Sequence, residues 1–272
     1  MPTFYLSIEE QLSILEKLQQ KANSVLKSSP PGQLTVQKCG SYTQFLYRPA
    51  GENASRQFIR RENQDFAKSL AQKAYTISFI KAASRQAEEL KKLSSSASPR
   101  SASLMYHALA RPFEKLTPER QALVTPYVLP DDLYIQSFLA TEYERKGFFD
   151  GAPVILTENG ERVRSKSEKI IADKLSSMGI PYLYECPLYL KKIGWIHPDF
   201  TLLDARERTT VILEHFGLMQ DLSYVVQAMR KVDCYIYDGY VPGDRLLITH
   251  EGGTQVLDHE SLDLLISHRF SS

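Results

Sequence analysis

The C-terminal half of this sequence predicts an α/β fold in which a mixed sheet is flanked by helices, in the order αβββαβ. Three observations predict it. Residues 164–178 place Ile171, Leu175 and Met178 at i, i+4 and i+7, a helical stripe that Gly179-Ile180-Pro181 stops. Strand-like runs over 182–190 and 195–203 flank a turn at 191–194, and the β-branched run 209–216 follows a polar loop at 204–208. A helical pattern over 221–235 and a strand over 245–250 complete the order, and a short helix over 261–267 closes it.

The N-terminal half predicts a mainly helical module with a β-hairpin. Ser7 and Glu10 form a capping-box pair for an amphipathic helix over 6–27, which carries Leu12, Leu15 and Leu18 and ends before Pro30-Pro31-Gly32. Residues 34–36 and 43–47 read as strands around Cys39-Gly40-Ser41, and 57–59 as a third. A helix over 63–93 follows, with Phe66, Leu70, Ile77 and Ile80 as core candidates. Residues 94–103 are mostly serine and contain Pro99, which predicts a flexible linker over 94–104. Thr117-Pro118 opens one helix, and Asp131-Asp132 opens another running to about 145. The predicted organisation is a helix–hairpin–helix module over 1–93, the linker, a helical connector over 105–150 and an α/β domain over 151–272.

The chain has 272 residues, of which 43% are hydrophobic and 24% charged, which reads as globular and water-soluble. No apolar run is long enough to span a bilayer, and Met1-Pro2-Thr3-Phe4 does not open a secretion signal. Cys39, Cys186 and Cys234 are odd in number and far apart, so a cytoplasmic location is expected and a structural zinc site is not. Charge is asymmetric: residues 1–120 hold 18 Lys/Arg against 10 Asp/Glu, and residues 121–272 hold 15 against 22. The basic half suits a polyanion, with Arg48, Arg60, Arg61 and Lys68 as candidate contacts, although a Lys-rich solvated helix surface explains the same bias.

The acidic half carries the candidate chemistry. Glu168 lies three, four and seven residues before Ile171, Ala172 and Leu175, on the core-facing stripe of its helix, where it also completes a capping-box pattern with Ser165. Asp199 follows Pro198, which removes a ladder donor and loosens the strand there. Glu214 ends the run Val211-Ile212-Leu213 of a central strand, where an ionised side chain is rarely buried alone. Strand alternation points Glu214 and Phe216 one way and His215 the other, which leaves His215 a supporting role. Carboxylates brought together repel unless a cation lies between them, so the set implies a divalent metal.

The segments Val163-Arg-Ser-Lys-Ser-Glu168, Tyr184-Glu185, His197-Pro-Asp199-Phe and Glu214-His-Phe-Gly217 resemble the PD-(D/E)xK nuclease superfamily, in particular uncharacterised bacterial members of the Firmicutes type. The resemblance covers about 150–260. It implies a restriction-endonuclease-like core and a Mg²⁺ or Mn²⁺ ion held by Asp199 and Glu214, with Glu168 completing the acidic set. The family pattern places a lysine two residues after the second acid, and here that position is Phe216. Gln227 and Lys231, four apart on the next helix, are candidate substitutes, and Lys231 is preferred over Lys166 or Lys169. Glu185 is a secondary candidate; Tyr235, Thr249 and Glu251 either line the site or are ordinary strand or helix-end residues, two readings the sequence supports equally.

The expected function is metal-dependent hydrolysis of DNA phosphodiester bonds. Phe216 keeps open a catalytically inactive nuclease-fold protein that binds nucleic acid or a protein partner. A third alternative is an interaction protein in which the three acids make ordinary ion pairs with Arg164 or Lys231. No membrane partner is expected.

Overall fold

In the computed structural model, which describes residues 6–51, 55–93, 102–254 and 256–270, Ser7 opens helix α1 (Ile8–Lys27). The Ser7 hydroxyl accepts from the Glu10 amide at 3.1 Å, and the Ser7 amide donates to the Glu10 carboxylate at 2.8 Å, so the capping box is complete. Strands β1 (Gln33–Cys39) and β2 (Tyr42–Arg48) pair antiparallel from Gln33↔Arg48 to Cys39↔Tyr42, and β3 (Gln57–Phe58) pairs with β2. A single 3₁₀ turn, Arg61–Asn63, leads into α2 (Gln64–Leu93).

The buried stripe of α2 differs from the expected one. Leu70 is buried and Phe66 and Ile80 are partly so, but Ile77 is 38% exposed. Ala67, Ala71, Tyr75, Phe79 and Ala83 form the face against α1 and its neighbours. Small alanines allow close helix approach, so side-chain bulk alone is a poor marker of that face.

Residues 94–101 of the expected linker lie outside the described residues. Its last residues do not belong to a linker: Ala102 is buried and precedes α3 (Ser103–Glu114). Helix α4 (Pro118–Gln121) starts at Thr117-Pro118, and α5 (Asp131–Leu139) ends well before 145. The chain divides into two compact units between Leu133 and Tyr134. The span read as a connector therefore splits. Met105, Leu109, Phe113, Leu123 and Val128 join the core of the first unit, while the residues after Leu133 belong to the second.

In the second unit, β4 (Ile155–Leu156) pairs with β5 (Arg162–Val163), ahead of α6 (Lys166–Ser177). Strands β6 (Tyr182–Tyr184), β7 (Leu188–Leu190), β8 (Gly194–Ile196), β9 (Phe200–Asp204) and β10 (Thr209–Phe216) follow, then α7 (Leu222–Tyr237), β11 (Leu246–His250) and α8 (His259–Phe270). The main sheet has the order β11-β10-β9-β6. Strands β6, β9 and β10 are antiparallel neighbours, and β11 runs parallel to β10. This is a mixed sheet within an α/β fold.

Each long strand expected over 182–190 and 195–203 is two strands. The inner parts, β6 and β9, pair in the main sheet, while the tips, β7 and β8, form a separate two-stranded ladder. The register runs through unbroken, since Tyr184 faces Phe200 and Leu188 faces Ile196. The hairpin is thus bent where Glu185 takes a left-handed φ of 52° opposite Pro198-Asp199. Proline has no amide to donate there, so the ladder is weakest at the bend.

Two cores cover the two faces of β10. Val211 and Leu213 pack with Ile171, Ala172 and Leu175 of α6 and with Ile266 of α8. Ile212 and Phe216 pack with Ala228, Val232 and Tyr235 of α7. The strand is buried on both sides, as its unbroken apolar run implies.

Candidate functional site

The register of β9 and β10 builds the site. Phe200 pairs with Leu213, so Asp199, one residue earlier, falls opposite Glu214. The amide of His215 donates to the Asp199 carboxylate at 2.6 Å, which fixes Asp199 against β10. Glu214 is 2% exposed, and its side chain points at α7.

Lys231 of α7 brings its ammonium to 2.6 Å from the Glu214 carboxylate, and the Tyr235 hydroxyl, one helical turn on, donates to the same oxygen. The structure thus brings Lys231 to the acids. Gln227, one turn earlier, is exposed to solvent. Phe216 packs edge-on against Tyr224 at 6.4 Å in the core beneath α7, which explains its side chain: the position is filled with apolar contact.

Asp199 is electrostatically stressed. Burial pushes its carboxyl well above the usual carboxylate range, and the charge of Glu214 adds to this. The His215 amide and Lys231 oppose the shift without cancelling it, and Glu168 contributes a further upward push. One carboxylate oxygen of Asp199 and one of Glu214 have no hydrogen bond among the described residues.

Glu168 is near enough for Asp199 to feel its charge, but it is committed elsewhere. Its carboxylate accepts from the Tyr184 hydroxyl at 2.6 Å and from the Arg164 amide at 2.9 Å. Ser165 caps the Glu168 amide at 3.0 Å, yet the reciprocal bond reaches Arg164 rather than Ser165, so the capping box is incomplete. Burial and the neighbouring Glu168 carboxylate raise the Tyr184 hydroxyl far above its ordinary value, so Tyr184 stays a donor. Tyr235 behaves likewise through burial and Glu214.

Glu185 is occupied by Arg164, whose Nε and Nη2 reach its two oxygens at 2.7 and 3.0 Å. The Arg164 pair therefore forms with Glu185 and not with Glu168, Asp199 or Glu214. The His215 ring faces the opposite side of the sheet, with Nδ1 3.0 Å from the Thr249 hydroxyl and Nε2 3.5 Å from Glu251. Glu251 also accepts from Ser167 at 2.8 Å. Burial works to raise the Glu251 carboxyl, but the hydrogen bond from Ser167 and the nearby His215 ring hold it below the usual range. Thr249 and Glu251 accordingly support His215 and do not line the acidic site. Lys169 pairs with Asp173, and Lys166 is exposed.

Tyr224 went unrecognised in the sequence. Burial, then the charge of Asp199 and, less, that of Glu214, raise its hydroxyl. It lies seven residues before Lys231 on one face of α7, a spacing that was readable once Lys231 was chosen. In the other unit, Arg48, Arg60, Arg61 and Lys68 are exposed, and Lys68 pairs with Asp65 at 2.9 Å.

Among the described residues, no group of three or more His, Cys, Asp or Glu side chains is arranged to hold a metal ion. The chemistry of Asp199 and Glu214 still fits a hard divalent cation. Mg²⁺ is commonly held by one or two carboxylates, with waters and substrate phosphate completing its shell. The excess negative charge that stresses Asp199 is what such an ion would relieve.

A stretch of 70 residues is 40% identical to an uncharacterised protein of Methanocaldococcus jannaschii, covering 26% of this chain and 6% of that protein. The chain therefore spans a small fraction of the curated relative it matches. No family model and no solved structure matches the chain.

Proposed function

We propose that this protein is a metal-dependent nuclease that hydrolyses phosphodiester bonds, with DNA as its substrate, on a restriction-endonuclease-like core. The observation that carries the reading is Asp199 set opposite Glu214 with Lys231 at 2.6 Å, because this restores a lysine that the sequence lacks at Phe216. The element order and the antiparallel β6-β9-β10 run with a parallel β11 support the same reading.

In this reading Asp199 and Glu214 would hold a Mg²⁺ or Mn²⁺ ion. The chemistry such an ion supplies is polarisation of the scissile phosphate and activation of a water. Lys231 offsets the paired carboxylates and faces the charge that develops at the phosphate. Tyr235 fixes the Glu214 rotamer, and the His215 amide fixes Asp199. Glu168, held by Tyr184, adds negative potential that favours cation entry. Exposed Arg48, Arg60, Arg61 and Lys68 suit salt-sensitive phosphate contacts.

The Glu214–Lys231 ion pair also favours a second reading, in which the core is catalytically inactive and binds nucleic acid or a protein partner. Incubation with supercoiled plasmid separates the two. The nuclease reading expects Mg²⁺- or Mn²⁺-dependent nicking that EDTA and Asp199→Ala abolish. Plasmid that stays intact, with no Asp199-dependent ion binding by calorimetry, sinks it.

A further inference from the structure

The β7–β8 hairpin beyond the bend has two unlike faces. Leu188, Leu190 and Ile196 turn inward and pack on the core beneath α7. Tyr189 and Trp195, a cross-strand pair, turn outward. Their rings meet edge-to-face at 5.5 Å, yet Trp195 is 70% exposed and Tyr189 55%. A cross-strand aromatic pair stabilises a hairpin, but that role does not require a tryptophan with so much of its ring in water. Exposed aromatic surface of this kind marks a contact site.

The surroundings indicate what it contacts. The turn carries Lys191 and Lys192. The Lys191 amide donates to Asp238 at 2.8 Å, and its ammonium lies 3.4 Å from the same carboxylate, which anchors the tip to the end of α7. Lys192 makes no ion pair among the described residues and lies 4.1 Å over the Tyr237 ring. The hairpin is anchored at its tip, presents an aromatic pair outward and carries in its turn a lysine without an ion pair among the described residues, a combination suited to a nucleobase and its phosphate. Trp195 is four residues from Asp199, so at most about 14 Å of extended chain separates them.

We infer that the outer face of this hairpin is a stacking platform for an unpaired nucleobase, with Trp195 and Tyr189 taking the base and Lys192 the adjoining phosphate. The inference rests on the nuclease reading for its occupant and extends it to a substrate class: nucleic acid that is single-stranded or frayed beside the scissile bond.

Trp195 is the only tryptophan in the chain, so its emission reports the platform directly. The full chain is titrated in EDTA, where no cleavage occurs, with a homothymidine oligonucleotide and separately with a blunt duplex. The expected result is salt-sensitive quenching by the single strand and much weaker quenching by the duplex. Anisotropy of a labelled single strand should show affinity falling about tenfold in Trp195→Ala and largely kept in Trp195→Phe. Circular dichroism checks that both variants fold, and the wild-type quenching stands whether or not they do. Binding of the single strand without quenching overturns the inference, as does equal quenching by duplex or no binding at all. Self-association that Trp195→Ala abolishes also overturns it, since a second copy then occupies the face. Quenching that survives in Asp199→Ala, in a protein that never cleaves, retains the platform while the nuclease reading fails.

Discussion

Strand β9 carries a buried aspartate at one end and a partly buried one just before the other, and the two are handled in opposite ways. At its C-terminal end, Asp204 meets Arg269 of α8 at 2.6 Å, and both side chains are 4% exposed. Arg269 also donates to the Asp244 carbonyl at 2.9 Å, so the cation is enclosed by acceptors. Just before its N-terminal end, Asp199 faces a second carboxylate, and one lysine serves both. The first arrangement balances charge and needs nothing more. The second leaves negative charge in excess, and burial raises the cost of that excess. Folding alone gives no reason to keep it, so the imbalance singles out this end of β9 as the candidate site.

The contrast is tested most severely at the balanced end. Removing one member of a buried pair strands the other, so Arg269→Met should cost about 3–5 kcal/mol in denaturant-induced unfolding. Replacing both, Asp204→Leu with Arg269→Met, should recover most of that loss, because no lone charge remains. At the unbalanced end the larger loss should be catalytic. Lys231→Ala should lower metal-dependent plasmid nicking by about 10²–10³-fold, the scale of one electrostatic contact to a transition state. Nicking that is unchanged in Lys231→Ala would remove Lys231 from the site.

Much of the unbalanced end was legible in the sequence. Strand alternation set Glu214 apart from His215, and the β9–β10 register needed only the polar loop between two apolar runs to bring Asp199 opposite Glu214. Helix spacing left Gln227 and Lys231 as alternatives, and only the fold turns Lys231 toward Glu214 while Gln227 faces solvent. The rest depended on contacts that no local pattern encodes. The bend at Glu185 arises from a left-handed φ at a non-glycine residue, which a strand-like run does not announce. Arg164 selects Glu185 over Glu168, a choice made by three-dimensional reach between residues 21 apart. The Asp204–Arg269 pair joins residues 65 apart and was not anticipated. In the first unit, the alanine face of α2 hid the core stripe that Ile77 was expected to join.

Asp199 also makes a signed prediction about pH. Its carboxyl is raised in the folded protein, so the folded state binds more protons than the unfolded one between the ordinary carboxylate range and the raised value. Stability from this group is therefore present at low pH and is lost as pH rises through that window. Asp199→Asn keeps the side-chain shape and the bond from His215 but removes the charge. It should raise Tm above that window by about 2–4 °C for each kcal/mol relieved, and the gain should vanish below it. Mg²⁺ should raise Tm of the wild type and leave Asp199→Asn unmoved, since an ion that binds only the folded state stabilises it. A variant less stable than the wild type at neutral pH would mean that Asp199 is balanced after all, like Asp204.

The smallest expected effect concerns Tyr235. Its hydroxyl shares one oxygen of Glu214 with Lys231, so the carboxylate is held from two directions. Tyr235→Phe keeps the ring in the core beneath α7 and deletes only the hydroxyl. Glu214 retains Lys231, so no charge is stranded, and the stability cost should be about 1 kcal/mol, that of one hydrogen bond. The effect on nicking should fall in KM for the metal rather than in kcat, because the hydroxyl fixes a ligand and does not touch the phosphate. A loss in kcat matching that of Lys231→Ala would place Tyr235 at the reacting atoms and make the α7 face, not the carboxylate pair, the centre of the site.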